Sequence, residues 1–223
     1  ELKRMAGTTD SIAGFLAAGA YKQGQAVTSL GSTLAIKLIC NKPVFSPKQG
    51  LYSHRLNSFW LVGGASNAGG KVLIKDYNSQ TLSKISCEQT DETIKNYIKQ
   101  YQHVFYPLSE KGERFPIADS ELKPQLPAKP KTPLKTKPTV TEIAEHSDYV
   151  NKLSLGLANI ERQAFDVLMQ VSDTRVTEIY SVGGGLKNQI WQQFRKELLS
   201  AELKPAEYED ASFGVTKLLW SMN

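Results

Sequence analysis

Cysteine is scarce: Cys40 and Cys87 are the only two in 223 residues. Their spacing suits neither a zinc site nor a redox pair, so they read as free thiols of a reducing compartment. Long apolar runs are lacking too. Nothing approaches the roughly 20 residues that cross a bilayer, and no signal peptide is expected; a cytoplasmic protein without membrane contact is the expectation. His54 has no neighbour at metal-ligand spacing. Two familiar phosphate cradles are missing. A dinucleotide fingerprint needs a third glycine three residues after the second, and counting from Gly183 and Gly185 that position is Asn188. A P-loop ends Gly-Lys-Ser/Thr, whereas the nearest candidate begins with Ala65 and ends Gly70-Lys71-Val72. Charge is not strongly one-sided either. The net charge is +5, with much of the basic excess in residues 123–137. That segment lacks interleaved aromatic residues, which argues against a nucleic-acid surface.

What is present is an ordinary globular composition, 40% apolar and 9% aromatic, enough for a sizeable core in one large or two small domains. The opening Glu1-Leu2-Lys3-Arg4-Met5 does not read as an initiator sequence, so a fragment of a longer polypeptide is expected.

The rest of the chain is organised around Val182-Gly183-Gly184-Gly185-Leu186-Lys187-Asn188. A β-branched run over residues 176–182 precedes it, and an amphipathic run over 189–199 follows. This spacing predicts a strand, a glycine turn and a helix start. Glycines lack Cβ atoms, can take positive φ and let a ligand lie against the backbone. Asn188 is a plausible N-cap, and free N–H groups at a first helical turn suit a polar or anionic group. A tight strand-to-helix connection is the alternative.

Taken in order, Gly7-Thr8-Thr9 form a turn leading into an alanine-rich helix over residues 12–20. Asp10 sits at its start, either as an N-cap or as a carboxylate placed to take a proton. Residues 25–30 and 33–39 read as strands joined by Gly31-Ser32, which fits a type II′ hairpin turn; such a tip can also offer N–H groups and hydroxyls to a phosphate. Short strands are predicted at 51–54 and 60–62. A small-residue segment over 63–70 then permits close backbone approach, either to a ligand or to a neighbouring element, and feeds a helix over 72–77. Residues 91–101 form a helix capped by Thr90 or Asp91. Glu113 and Arg114 lie in a charged loop, where they contact a polar ligand or solvate the loop. Prolines alternate with lysines over 123–138, an extended surface crossing or a docking segment. The longest helix runs over 141–170 with a continuous apolar stripe. Helices over 190–199 and 210–220 follow, the last with Gly214 where another backbone can approach closely. The mixture predicts an α/β fold with a long helix on a sheet.

Several of these segments together resemble the carboxy-terminal part of the FGGY carbohydrate kinases, most closely the pentulose kinases. The residues carrying the likeness are Gly7-Thr8-Thr9-Asp10-Ser11-Ile12-Ala13, Leu30-Gly31-Ser32-Thr33-Leu34-Ala35-Ile36, Gly63-Gly64-Ala65-Ser66-Asn67 and Gly112-Glu113-Arg114-Phe115-Pro116. Gly183-Gly184-Gly185-Leu186-Lys187-Asn188 and Asp210-Ala211-Ser212-Phe213-Gly214 complete the set. The resemblance implies an RNase H-like domain of the actin, Hsp70 and sugar-kinase superfamily, a mixed sheet flanked by helices. It implies Asp10 as catalytic base, Gly31, Ser32 and Thr33 as the hairpin facing the phosphates of ATP, and Gly183, Gly184, Gly185 and Asn188 as the adenosine turn. Asp10 and the glycine trio are expected to meet across one groove. ATP and Mg²⁺ are the implied cofactors, and D-ribulose or D-xylulose the implied acceptor. The family's amino-terminal domain, with its Asp-x-Gly-Thr turn, its magnesium-holding acid and most of the sugar pocket, is not in this sequence. The chain alone is therefore expected to be inactive or nearly so, and to self-associate, as a homodimer for instance, through the face meant for its partner domain. A nucleotide-binding or interaction module without a catalytic partner domain is the alternative.

Overall fold

Six strands form one mixed sheet in the order β3-β4-β2-β1-β5-β6. The computed structural model describes residues 10–56, 58–208 and 210–220; for residues 10, 11, 211 and 217–220 it describes the backbone only. β1 (Gln25–Leu30) and β2 (Leu34–Cys40) are antiparallel, and β2 pairs in turn with β4 (Phe59–Ser66), itself antiparallel to β3 (Tyr52–Leu56). On its other side β1 runs parallel to β5 (Glu178–Val182), and β5 parallel to β6 (Glu202–Pro205). The parallel pairs require crossovers. One of them includes α5 (Val140–Ser172), the other is α6 (Gln189–Leu198).

Strand periodicity divides the residues between two apolar layers. Ala26, Leu30, Leu34, Ile36 and Leu38 face a large cluster with α5 and α6. Val27, Ile39 and Leu61 face the opposite layer, where Phe15 and Ala18 from α1 (Asp10–Ala17) and its exit cover them. The 33-residue α5 begins with a capping box between Thr139 and Glu142, satisfying two otherwise orphaned backbone donors. α7 (Ala211–Trp220) lies against α1 so closely that a Cβ on Gly214 would fall 1.7 Å from the Ala13 carbonyl oxygen. That glycine is where two helix backbones touch, as its place in the sequence suggested.

Three expectations change. The β1–β2 connection has three residues, not two: Leu30 pairs with Leu34, and the Gly31 N–H donates to the Thr33 carbonyl at 3.2 Å. Gly31 does not take the positive φ of a type II′ turn, because the register leaves Thr33 in the loop. The strand expected over 60–62 runs on through Gly63 and Gly64 as β4, where Cβ atoms would meet the Ile36 carbonyl oxygen and the Phe115 ring; of the two alternatives for these glycines, the close approach is to a neighbouring element. Glu113 is a buried hub, not a loop charge. It accepts from Ser66 Oγ at 2.6 Å, the Asn67 N–H at 2.7 Å, the Tyr106 hydroxyl at 3.0 Å and the Arg114 N–H at 2.7 Å. Four donors satisfy a carboxylate that would be costly to bury alone. Two elements had no forecast, α3 (Ser79–Ile85) and β6. Of the remaining helices, α4 (Asp91–Tyr101) lies where expected, whereas α2 (Lys71–Ile74) is one turn that stops short of the expected 72–77.

Beneath the glycine turn, Arg195 and Glu161 form an ion pair with side chains 1% and 0% exposed. Arg195 Nε and one terminal nitrogen donate to the two carboxylate oxygens at 2.7 and 3.0 Å; the guanidinium also reaches Ser181 Oγ and Gln192 Oε1, each at 2.7 Å. One side chain thereby ties α6 to α5 and β5. Arg195→Met leaves the Glu161 charge buried and unpaired, and a loss of about 3–5 kcal/mol is expected in urea unfolding. The double change with Glu161→Leu should recover most of it. A single change costing less than about 1 kcal/mol would show that the pair is no support.

Lys37 is the opposite case. It is 4% exposed, its Nζ has no hydrogen-bond partner among the described residues, and it lies 4.6 Å from the Tyr52 ring centroid. Burial pulls its ammonium down from 10.5 to about 8, and together with that nearby charge holds His54 below its ordinary range. Between pH 8 and 10.5 the unfolded chain therefore binds more protons than the folded one, so stability at this site rises with pH across that window. Below it the full cost of the buried charge is present. Lys37→Met should accordingly gain roughly 1–3 kcal/mol near neutral pH, with the gain shrinking as pH climbs through the window. Urea unfolding at both ends checks this, and no gain at neutral pH would reveal a partner for the ammonium.

Candidate nucleotide cleft

The three glycines after β5 serve three different purposes. Gly183 has φ 101°, and a Cβ there would sit 2.8 Å from the Leu30 carbonyl oxygen; only glycine accepts that conformation without strain. Gly185 is wedged between Trp191 and Leu30, where a Cβ would meet ring and side-chain carbons at 2.6 and 2.8 Å. Gly184 has nothing within 4 Å of its Cβ position. The first two let the turn lie against β1, and the third leaves backbone bare toward open space.

The turn does not run directly into α6. Residues Gly184–Lys187 make one 3-10 turn, with the Leu186 N–H on the Gly183 carbonyl at 3.2 Å and the Asn188 N–H on the Gly185 carbonyl at 3.1 Å. Asn188 then caps α6, its Oδ1 accepting from the Trp191 N–H at 3.0 Å while its Nδ2 reaches Ser154 Oγ at 3.5 Å. It is buried, and its side chain is already engaged with protein.

The hairpin tip is braced just as firmly. The Gly31 carbonyl accepts from the Gly70 N–H at 2.8 Å, the Ser32 carbonyl from the Lys71 N–H at 3.2 Å, and the Leu34 N–H donates to the Ala68 carbonyl at 2.8 Å. A Cβ on Gly69 would lie 2.5 Å from the Ser32 carbonyl oxygen. Backbone contact between segments more than thirty residues apart thus fixes the tip, leaving the exposed side chains of Ser32 and Thr33 outside.

Between hairpin and turn lies a cleft of about 300 Å³, at the carboxyl ends of β1 and β5, where ligands bind in open α/β sheets. It brings together Gly31, Ser32, Gly184, Gly185 and Asn188. Thr33 and Gly183 do not line it; Thr33 is exposed at the hairpin tip, and Gly183 is spent on the approach to Leu30. The wall that sequence reasoning missed is mostly apolar: Leu73 and Ile74 of α2, Leu82 of α3 and Trp191. Its signal was available in part, since Asn78 caps α3 through the Thr81 N–H at 2.9 Å, and Asn before Ser-Gln-Thr is a helix-start pattern. Trp191 lines the cleft with its Nε1–H unpartnered among the described residues, and Lys187 supplies a positive charge at the lining.

Asp10 begins α1, and its carboxyl group lies outside the described residues, as do Gly7, Thr8 and Thr9. α1 leads back through a short turn into β1. Ile12 joins the apolar layer that includes Val182, the last residue of β5. α1 therefore covers the face of the sheet opposite α5.

Comparison with known proteins places this geometry. No protein-family model matches the chain. A gluconokinase from Bacillus subtilis (strain 168) is 24% identical, the match covering 93% of this chain and 40% of that protein. Among solved structures, one described as a "xyloylose kinase" from Brucella ovis superposes with a TM-score of 0.69 at 20% identity, covering 94% of this chain and 41% of that one. Glycerol kinase from Plasmodium falciparum, solved with ADP, gives a TM-score of 0.65 at 16% identity, covering 94% of this chain and 40% of that one. The chain spans about two fifths of the length of the relatives it matches. It shares with these kinases the fold of a mixed sheet flanked by helices.

Proposed function

We propose that this chain is the nucleotide-binding, carboxy-terminal part of an ATP-dependent sugar kinase, and that the whole protein phosphorylates a ketopentose, D-ribulose or D-xylulose. The observation carrying the nucleotide reading is the cleft in which the bare Gly184 backbone and the braced hairpin tip face an apolar wall ending in Trp191. A flat, largely apolar slot with a few polar edges suits an adenine ring. The open space beyond Gly184 gives a ligand access to bare backbone at the edge of that slot. The names of the relatives divide among gluconate, xylulose and glycerol, so the ketopentose reading rests on the sequence resemblance.

The division of labour follows. Leu73, Ile74 and Leu82 hold the base with Trp191 behind them, and Gly184 lets the backbone lie against the nucleoside, Gly185 keeping the turn close to Leu30. Ser32 and Thr33 hydroxyls, with Lys187, face the phosphates. Asp10 takes the proton from the sugar hydroxyl as that oxygen bonds to the γ-phosphorus, and the bond to the β–γ bridging oxygen breaks to release ADP. The described residues gather no cluster of three His, Cys, Asp or Glu side chains, so the magnesium that accompanies ATP is not assigned to residues of this chain. Phosphoryl transfer depends on positioning and charge neutralisation. The chain without an amino-terminal domain therefore binds nucleotide but turns over little or no sugar.

Two measurements test this. Gly184→Val projects a side chain into open space, so melting should stay that of the parent while the affinity for a fluorescent ADP analogue falls at least roughly tenfold. Equal affinity would remove the cleft from consideration. In the whole protein, Asp10→Asn should lower kcat by about 10²–10⁴ with nucleotide affinity nearly unchanged, assayed with D-ribulose, D-xylulose, gluconate and glycerol in parallel. Activity surviving that change would leave Asp10 as no more than a helix start.

A further inference from the structure

A second and larger cavity, about 440 Å³, lies outside the cleft. Its outer wall is the segment of alternating proline and lysine, which nothing in the nucleotide reading uses. Lys129, Lys131, Thr132 and Pro133 line it from that side, and Asn78 and Thr81 from the other. The segment is irregular, and beside the cavity it is pinned on either side of Lys131. Lys129 Nζ lies 2.5 Å from Asp76 Oδ1, and the Thr132 carbonyl lies 3.1 Å from His146 Nε2. Between these pins sits Lys131, exposed and drawn into none of the described ion pairs.

The floor is buried and polar. His146 is 4% exposed, and its Nδ1 lies 2.7 Å from the Tyr77 hydroxyl. A neutral ring donating from Nε2 to Thr132 and accepting at Nδ1 from Tyr77 satisfies both contacts. Asp76 accepts from the Tyr149 hydroxyl at 3.0 Å as well as from Lys129. The one carboxylate lining the cavity is therefore already matched by Lys129, and Lys131 lines the same cavity outside every described ion pair.

We propose that this cavity binds a small phosphorylated metabolite, at a site separate from the nucleotide cleft. Its volume falls among ligand pockets, which run roughly 300–1,000 Å³. Lysine binds phosphate as a point charge, and Lys129 keeps donors beyond the one given to Asp76. Thr81 and Thr132 add hydroxyls, while Pro130, Pro133 and Leu134 offer apolar surface for a carbon skeleton. Prolines restrict the strap before anything binds, which lowers the ordering cost of closing it on a ligand. The two sites stand back to back: Ser79 and Leu82 of α3 line the cleft, Asn78 and Thr81 at its start line this cavity.

Calorimetry on the full chain at low salt tests the site, with ribose 5-phosphate and inorganic phosphate as probes and ribose as control. Saturable binding of ribose 5-phosphate and none of ribose is expected. Lys131→Gln and, on the opposite wall, Thr81→Val should each weaken it, the lysine change by roughly tenfold or more, with melting unchanged. Gly184→Val should leave it intact, so failure of the nucleotide reading and failure of this one are separable. The proposal is overturned if neither phosphate probe binds saturably. It is equally overturned if binding survives Lys131→Gln or disappears in Gly184→Val, which would place the probe in the nucleotide cleft.

Discussion

A guanidinium buried where no water reaches must be matched completely, and Arg195 is matched from three elements at once. Glu161 on α5 takes two of its donors, Ser181 on β5 a third and Gln192 on its own helix a fourth. Such a group tolerates little displacement, because any donor pulled away in a low-dielectric interior goes unsatisfied. Ser181 lies two residues before Gly183 and Arg195 seven residues after Asn188. The pair therefore clamps both ends of the glycine turn to the long helix behind it. The turn itself can then be bare backbone, since its position is set by its neighbours.

The hairpin on the other side of the cleft is held by a different means. Among the described residues no ion pair fixes it; Gly69 and Gly70 come close enough for Gly31 and Ser32 to spend their carbonyls on backbone donors. Glu113 secures the same region from below, gathering Ser66, Asn67 and the chain at Arg114. The two rims of the cleft are thus independently rigid, one through charge and one through backbone contact. A site built on rims of this kind is preorganised without needing a ligand to order it.

How much of this the sequence disclosed depended on range. Elements with strong local signals were legible: the strand over 25–30 and the helix over 91–101 were placed at their observed bounds, and Asn188 caps α6 as its position suggested. α3 escaped because it is seven residues long with few apolar positions, and β6 because Glu-Leu-Lys-Pro has the composition of a surface loop and becomes a strand only beside β5. The role of Glu113 was hidden for a deeper reason. A glutamate between glycine and arginine looks like a solvated loop charge, and its donors come from residues 66, 67 and 106, which no local pattern connects to it. Small-residue segments suffered the same ambiguity. Gly184 faces open space, while Gly63, Gly69 and Gly185 face protein, a distinction that exists only once the chain is folded.

The charge of the cleft carries the proposed reading one step further. Adenine needs an apolar slot, and this one has it, but a triphosphate brings several negative charges that something must neutralise. On the hairpin side the Gly31 and Ser32 carbonyls are already committed, leaving hydroxyls, and Lys187 is the only basic side chain among those lining the cleft. Hydroxyls can orient a phosphate without balancing its charge. A nucleotide held by these residues would thus be gripped at its base and left under-compensated at its reacting end. Charge arriving from outside the described residues, as a metal or as basic groups of another domain, is what would convert binding into transfer, because only interactions that strengthen as the γ-phosphoryl leaves can lower the barrier.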